Sequence, residues 1–312
     1  MTHAGIQLQA WFHSSFVTRV IKAPQLDLTT RSVPEPELVM VPTRHGDVRC
    51  YVTRAAADAP LAQNAGGPPV HINIHGGAFL VGGPRQDDHL VRATAGEVGA
   101  TVVNVDYSTG PRVRYPQAHE ECYDVLSWVR SCGTSMGWDN HRVSIGGGSA
   151  GANLALGALE LARQAGDPPV RACELVVPTV DQTIPPEQYT SPLSQTSGRG
   201  GRPFVSPRLA RVIHSTYFAD ASRRAEPLAS PVLGEEEIAS LPPLLVVAAE
   251  QDSLRPQIER FVGKARAAGV PITYRCFPGV DHDFPVRPKT HGEPALRELA
   301  EMTCVHLLRH LA

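Results

Sequence analysis

At 312 residues the chain is long enough for one large α/β core with inserted loops. Hydrophobic residues make up 42% and charged residues 19%, a globular composition, and the formal net charge of −2 offers no general attraction to nucleic acid or anionic lipid. No run of about 18 apolar residues occurs and no basic start precedes an apolar stretch, so no stable membrane insertion and a cytoplasmic location are expected.

The six cysteines are scattered without a C-x-x-C pair, as reduced core residues would be. Trp11, Phe12, Phe16, Val20 and Ile21 recur at roughly helical spacing, which predicts an amphipathic helix in the first two dozen residues. Residues 38–43 and 48–53 form a predicted hairpin around His45-Gly46-Asp47. Strands at 70–74 and 101–105 with a helix over 87–98 between them make a βαβ unit, hence parallel pairing. A helix over 116–131 then leads to a short strand, Val143-Ser144-Ile145, a turn over 146–151 and a helix over 152–165. A strand at 175–178 follows. Residues 181–208, crowded with Pro, Gly, Ser and Thr, and a helix over 208–218 interrupt the alternation. Strands at 244–249 and 272–277, a helix over 256–268 stopped by Gly269, and a closing helix over 295–311 complete a mostly parallel sheet covered on both faces. The whole chain, 1–312, is expected to be one domain, with 1–37 and an insertion at 181–225 as cap segments over the site.

Chemistry concentrates at Gly147-Gly148-Ser149-Ala150-Gly151, which fits G-x-S-x-G. Between a strand and a helix this corner lifts a serine hydroxyl beyond the sheet, and a Cβ at either outer glycine would collide with a neighbouring element. A serine hydroxyl at neutral pH needs a base, and the base needs an acid to orient it. Asp252 follows the strand at 244–249 and His282 follows the strand at 272–277, the order and placement this corner requires. Glu250, Asp281 and Asp283 are lower-ranked substitutes. Donors for a tetrahedral oxyanion are expected from the backbone N–H groups of Gly76 and Gly77, in His75-Gly76-Gly77-Ala78 after the strand at 70–74, and of Ala150.

His75-Gly76-Gly77, the 147–151 elbow, Asp252-Ser253-Leu254 and His282-Asp283-Phe284 together resemble the hormone-sensitive-lipase-like branch of the α/β-hydrolases. Asp106-Tyr107 followed by Tyr115-Pro116 is similar to a segment supporting the active site in that family. The resemblance implies an eight-stranded α/β-hydrolase fold and a cofactor-independent serine carboxylesterase acting on a small-molecule ester with a short to medium acyl chain. Two positions depart from the family: Gly148 stands where an Asp is usual, and Ser108-Thr109-Gly110-Pro111-Arg112 replaces Arg-Leu-Ala-Pro-Glu. Amide cleavage or acyl transfer could use the same groups, and a non-catalytic binding protein of this fold is the alternative from another class, disfavoured by the presence of His282. His306 and His310 are spaced four apart on a helix without an evident third ligand, so no metal site is expected. A homodimer is an option that the sequence leaves open.

Overall fold

The computed structural model describes residues 26–191, 203–288 and 292–312. The predicted N-terminal helix and residues 192–202 of the insertion lie outside them. Residues 26–36 run without regular structure, and Leu26 and Leu28 rest on an apolar cluster that includes Leu296 and Leu299.

The sheet opens with an antiparallel hairpin of β1 (Glu37–Thr43) and β2 (Gly46–Thr53), the tight turn permitted by Gly46 at φ 104°. β2 then pairs antiparallel with β4 (Thr101–Asp106). From there every pairing is parallel, through β3 (Val70–Ile74), β5 (Val143–Gly148), β6 (Ala172–Val176), β7 (Leu244–Ala249) and β8 (Ile272–Phe277). The eight strands lie in the order β1-β2-β4-β3-β5-β6-β7-β8, the mostly parallel eight-stranded sheet expected from the sequence. Because β4 sits outside β3, β3 and β5 are neighbours on either side of the point where strand order reverses. Loops leaving their carboxyl ends meet there, the usual place for a site in an open α/β sheet.

Six principal helices cover the sheet. They are α1 (Asp88–Ala93, continued by a wider turn over Thr94–Val98), α2 (Gln117–Ser131), α3 (Ala150–Ala165), α4 (Pro207–Ser215), α5 (Arg255–Ala267) and α6 (Glu293–Leu311). Burial on both faces explains why β7, Leu-Leu-Val-Val-Ala-Ala, is apolar throughout instead of alternating. α4 is stopped at its start by Ser206, whose hydroxyl accepts from the Leu209 N–H at 3.3 Å, with Pro207 in the first turn.

Three boundaries differ from expectation by three residues, the others by no more than two. β5 continues to Gly148, beyond the predicted end at Ile145, because Gly147 pairs with Ile74 and Gly148 with Val176, and two ladders override the poor strand propensity of glycine. β6 occupies 172–176 rather than 175–178: Val177 turns out at φ 44°, Pro178 has no N–H to donate, and the strand takes in the buried Glu174 instead. α4 ends at Ser215, three residues early, since Thr216 leaves helical geometry and turns Tyr217 and Phe218 into the core.

Candidate active site

Ser149 occupies the corner between β5 and α3 at φ 53° and ψ −112°, a strained conformation costing about 1–3 kcal/mol that its surroundings must impose. Its N–H donates to Val176 O at 2.8 Å, which pins the corner to the end of β6. The flanking glycines are required sterically: a Cβ at Gly147 would lie 2.2 Å from Ile74 O, and one at Gly151 only 1.9 Å from the same oxygen. Close approach of β3, β5 and α3 is therefore what pushes the serine outward.

β7 and β8 end side by side, since Ala249 pairs with Phe277, so the loops after them converge on the corner. His282 Nε2 stands 2.8 Å from Ser149 Oγ, and its Nδ1 stands 2.7 Å from Asp252 Oδ2. The consistent assignment has the serine O–H donating to Nε2 and Nδ1–H donating to the carboxylate. Asp252 is held by the Leu254 N–H, which donates to Oδ1 at 2.9 Å. Burial pulls the His282 imidazole down, but the charge and hydrogen bond of Asp252, with Asp281 and Asp283 behind them, outweigh it and leave the ring above its ordinary value. Two of the lower-ranked acids have hydrogen-bond partners of their own. Glu250 accepts from the Gly279 N–H, and Asp281 accepts from the N–H groups of His282 and Phe204.

On the other side of the serine, Gly76 backs directly onto the corner: a Cβ there would sit 3.2 Å from Gly148 O and 3.6 Å from Ser149 Cβ. Gly77, at φ 132°, has Val81 O where a Cβ would go, at 2.3 Å. None of the described residues accepts a hydrogen bond from the N–H of Gly76, Gly77 or Ala150, so all three expected donors are uncommitted. The loop is braced from below. Gln86 donates to Gly76 O at 3.0 Å, and Tyr107 donates to His75 O at 3.1 Å while its ring stacks on His75 at 4.4 Å. Tyr107 thus gives physical content to the Asp106-Tyr107 resemblance.

Ser149 and His282 open into a cavity of about 500 Å³. Phe204 stacks on the His282 ring at 5.7 Å, and Ser253 donates to Val205 O at 2.7 Å, so residues 203–206 lie over the candidate base. No sequence signal marks Phe204, which reaches the base only through the path the insertion takes back to the sheet. Gly148 leaves open space where a side chain would project, with no atom within 4 Å of a Cβ built there. At the second departure, the Ser108 N–H donates to Glu121 Oε2 and the Gly110 N–H to Phe79 O, both at 2.8 Å or less. This segment is anchored behind the glycine loop without the family's arginine. The His306 and His310 rings meet edge to face at 4.9 Å, and no group of three or more His, Cys, Asp or Glu among the described residues is arranged to hold a metal ion.

A model of the alpha/beta hydrolase fold family matches residues 71–286. An arylesterase of Saccharolobus solfataricus is 28% identical over 74% of this chain and 72% of its own length. The carboxylesterase NlhH of Mycobacterium tuberculosis is 30% identical over 69% of this chain and 66% of its own length, slightly under two thirds. Among solved structures, the esterase of Pyrobaculum calidifontis superposes with a TM-score of 0.78 at 26% identity, covering 99% of this chain and 93% of that one. With its sheet order, its elbow and these relatives in agreement, the chain belongs to the alpha/beta hydrolase fold family and, within it, to the hormone-sensitive-lipase-like carboxylesterases.

Proposed function

We propose that the protein is a serine carboxylesterase in which Ser149 is the nucleophile, His282 the general base and Asp252 the group that orients and stabilises the imidazolium. The observation that carries this reading is the single line of contacts from Ser149 Oγ through His282 to Asp252, at 2.8 and 2.7 Å. Oγ attacks the ester carbonyl as its proton passes to Nε2. The carbonyl oxygen becomes an oxyanion facing the Gly76, Gly77 and Ala150 N–H groups, each such donor being worth on the order of 10² to 10³ in rate. Collapse expels the alcohol, which takes the proton from Nε2, and leaves the acyl group on Ser149. Water activated by the same nitrogen then releases the acid.

The described residues of the insertion, 181–191 and 203–225, form in this reading part of a cap that limits the acyl chain to short or medium length. The support is Phe204 over His282 and the cavity enclosed beneath α4. A cytosolic setting fits six free cysteines. No helix of the described residues is long and apolar enough to cross a membrane.

The test is hydrolysis of p-nitrophenyl esters from acetate to palmitate by the wild type, Ser149→Ala and His282→Ala. Short esters are expected to be cleaved best, with kcat falling by about 10³-fold or more in both variants. Undiminished turnover in Ser149→Ala would remove the nucleophile from this mechanism.

A further inference from the structure

The floor of the cavity is more polar than an ester with two plain alkyl arms requires. Parallel register sets Asn104 beside Asn73, Asn73 beside Gly146 and Gly146 beside Glu174, so one lateral row crosses four strands with its side chains on one face. Partners within the protein satisfy part of this face. Asn73 donates to Asn104 Oδ1 at 2.9 Å, and His71 Nδ1 pairs with Ser144 Oγ at 2.9 Å. A Cβ at Gly146 would lie 2.9 Å from Glu174 Cβ and 3.3 Å from His71 Cε1, so the glycine is what admits Glu174 to the row.

Two carboxyls remain poorly matched. Glu174, 6% exposed, accepts from Thr303 of α6 at 2.9 Å, and Asp87, 7% exposed and just before α1, receives among the described residues only the Asn73 amide at 3.5 Å. No cationic side chain among the described residues acts on Glu174 or Asp87, and burial holds both near 7. His71 is no counterion, because burial drives it down to about 3. Yet Asp87, Glu174, Asn73 and Thr303 wall the same cavity as Ser149 and His282. Two arginines, Arg208 and Arg287, also line the cavity but act on neither carboxyl, so a carboxyl-bearing floor continuous with the nucleophile is left to meet a cation carried by the ligand.

We propose that this chamber is a cation subsite, in which Asp87 and Glu174 receive an ammonium group carried on one arm of the ester whose carbonyl is attacked by Ser149. The inference rests on the esterase reading of Ser149 and names its substrate class. Gly146, level with Glu174, precedes Ser149 by three strand residues, so the ammonium lies roughly 10 Å from the reacting carbonyl. Arms of about six carbons are of that order.

The experiment compares isosteric pairs at pH 8, where an alkyl ammonium keeps its proton. One pair varies the acyl arm, p-nitrophenyl 6-aminohexanoate against p-nitrophenyl heptanoate. The other varies the alcohol arm, 6-aminohexyl butyrate against heptyl butyrate, followed by acid release. In the wild type the ammonium ester is expected to exceed its neutral counterpart by about ten-fold or more in kcat/KM in one of the two pairs. That ratio is expected to fall toward one in Asp87→Asn/Glu174→Gln. Wild-type turnover of the neutral esters with no ammonium preference in either pair would overturn the subsite alone, whether or not the double variant folds. A preference that survives in the double variant would overturn it too. Failure to cleave any of the four esters would bring down the esterase reading, and the subsite with it.

Discussion

Asp252→Asn isolates the contribution of the acid, because the amide has almost the same outline in a site where the Asp252 side chain is fully buried. In the native arrangement Nδ1–H donates to Oδ2 at 2.7 Å, which leaves Nε2 free to accept the Ser149 proton at 2.8 Å. An amide can present its NH₂ to Nδ1, which moves the ring proton to Nε2 and removes the base. Two losses then combine. An opposite charge in contact is worth about 1–3 pKa units, or about 1.4–4 kcal/mol, to the imidazolium that forms in the transition state. The wrong tautomer adds to this, and the total expected fall in kcat/KM is on the order of 10⁴, or about 5.4 kcal/mol. Stability is expected to hold, since the Leu254 N–H keeps its acceptor in the amide oxygen. The assay is kcat/KM on p-nitrophenyl butyrate with the thermal midpoint measured alongside. A fall of less than ten-fold at an unchanged midpoint would refute the tautomer argument.

Three further outcomes follow from the same geometry. Because His282 is held above its ordinary value of 6.5 and must be neutral to act, kcat/KM should decline as pH drops through a midpoint above 6.5; a profile flat down to pH 5 would exclude it as the base. Stability should also fall on acidification. His89, His119, His214 and His306 are lowered to about 4 and His71 to about 3, so below about 6.5 the unfolded chain takes up protons that the native state refuses, and stability is lost down to about pH 4. The raised groups Asp87, Asp88, Glu174, Asp281 and His282 work the other way, their contribution being present at low pH and lost as pH rises through their folded values, but the five histidines above are joined by His75 and His310, also lowered by burial, so seven histidines oppose these five. Circular dichroism melts from pH 7.5 to 4.5 should show a falling midpoint, and a constant one would contradict the balance. Finally, Gly151→Ala sets a methyl 1.9 Å from Ile74 O and 2.6 Å from His75 O, both backbone oxygens that cannot swing aside as a side chain could. It should cost about 3 kcal/mol or more, read as a lowered urea midpoint, and a loss under about 1 kcal/mol would mean that the corner can relax.

The polar row under the site left a trace in the sequence that periodicity did not use. His71 and Asn73 alternate with Val70, Ile72 and Ile74 in a strand buried on both faces, where a polar pair needs a reason. Glu174 left a weaker one, because the apolar run after it drew the strand boundary three residues downstream. Tyr217 shows the limit more plainly: its hydroxyl serves His119 Nδ1 and the Ala118 N–H from nearly a hundred residues away, and no local pattern encodes that meeting.

What the sequence determined by itself is what local chemistry dictates. Strand and helix periods gave the α/β alternation, and glycine on both sides of Ser149 marked the elbow, because only a missing Cβ allows that corner. The positions of Asp252 and His282 just beyond late strands followed from the order that the elbow implies. Tertiary structure alone decided what fills the space around them. Register placed Glu174 level with Gly146 and brought Asn73 to the same row. The path of the insertion laid Phe204 on His282. The reason is physical: dihedral preference and hydrophobic period act over a few residues, whereas the shape and charge of a cavity are sums over side chains that meet only when the sheet has closed its ladders and the helices have docked on it.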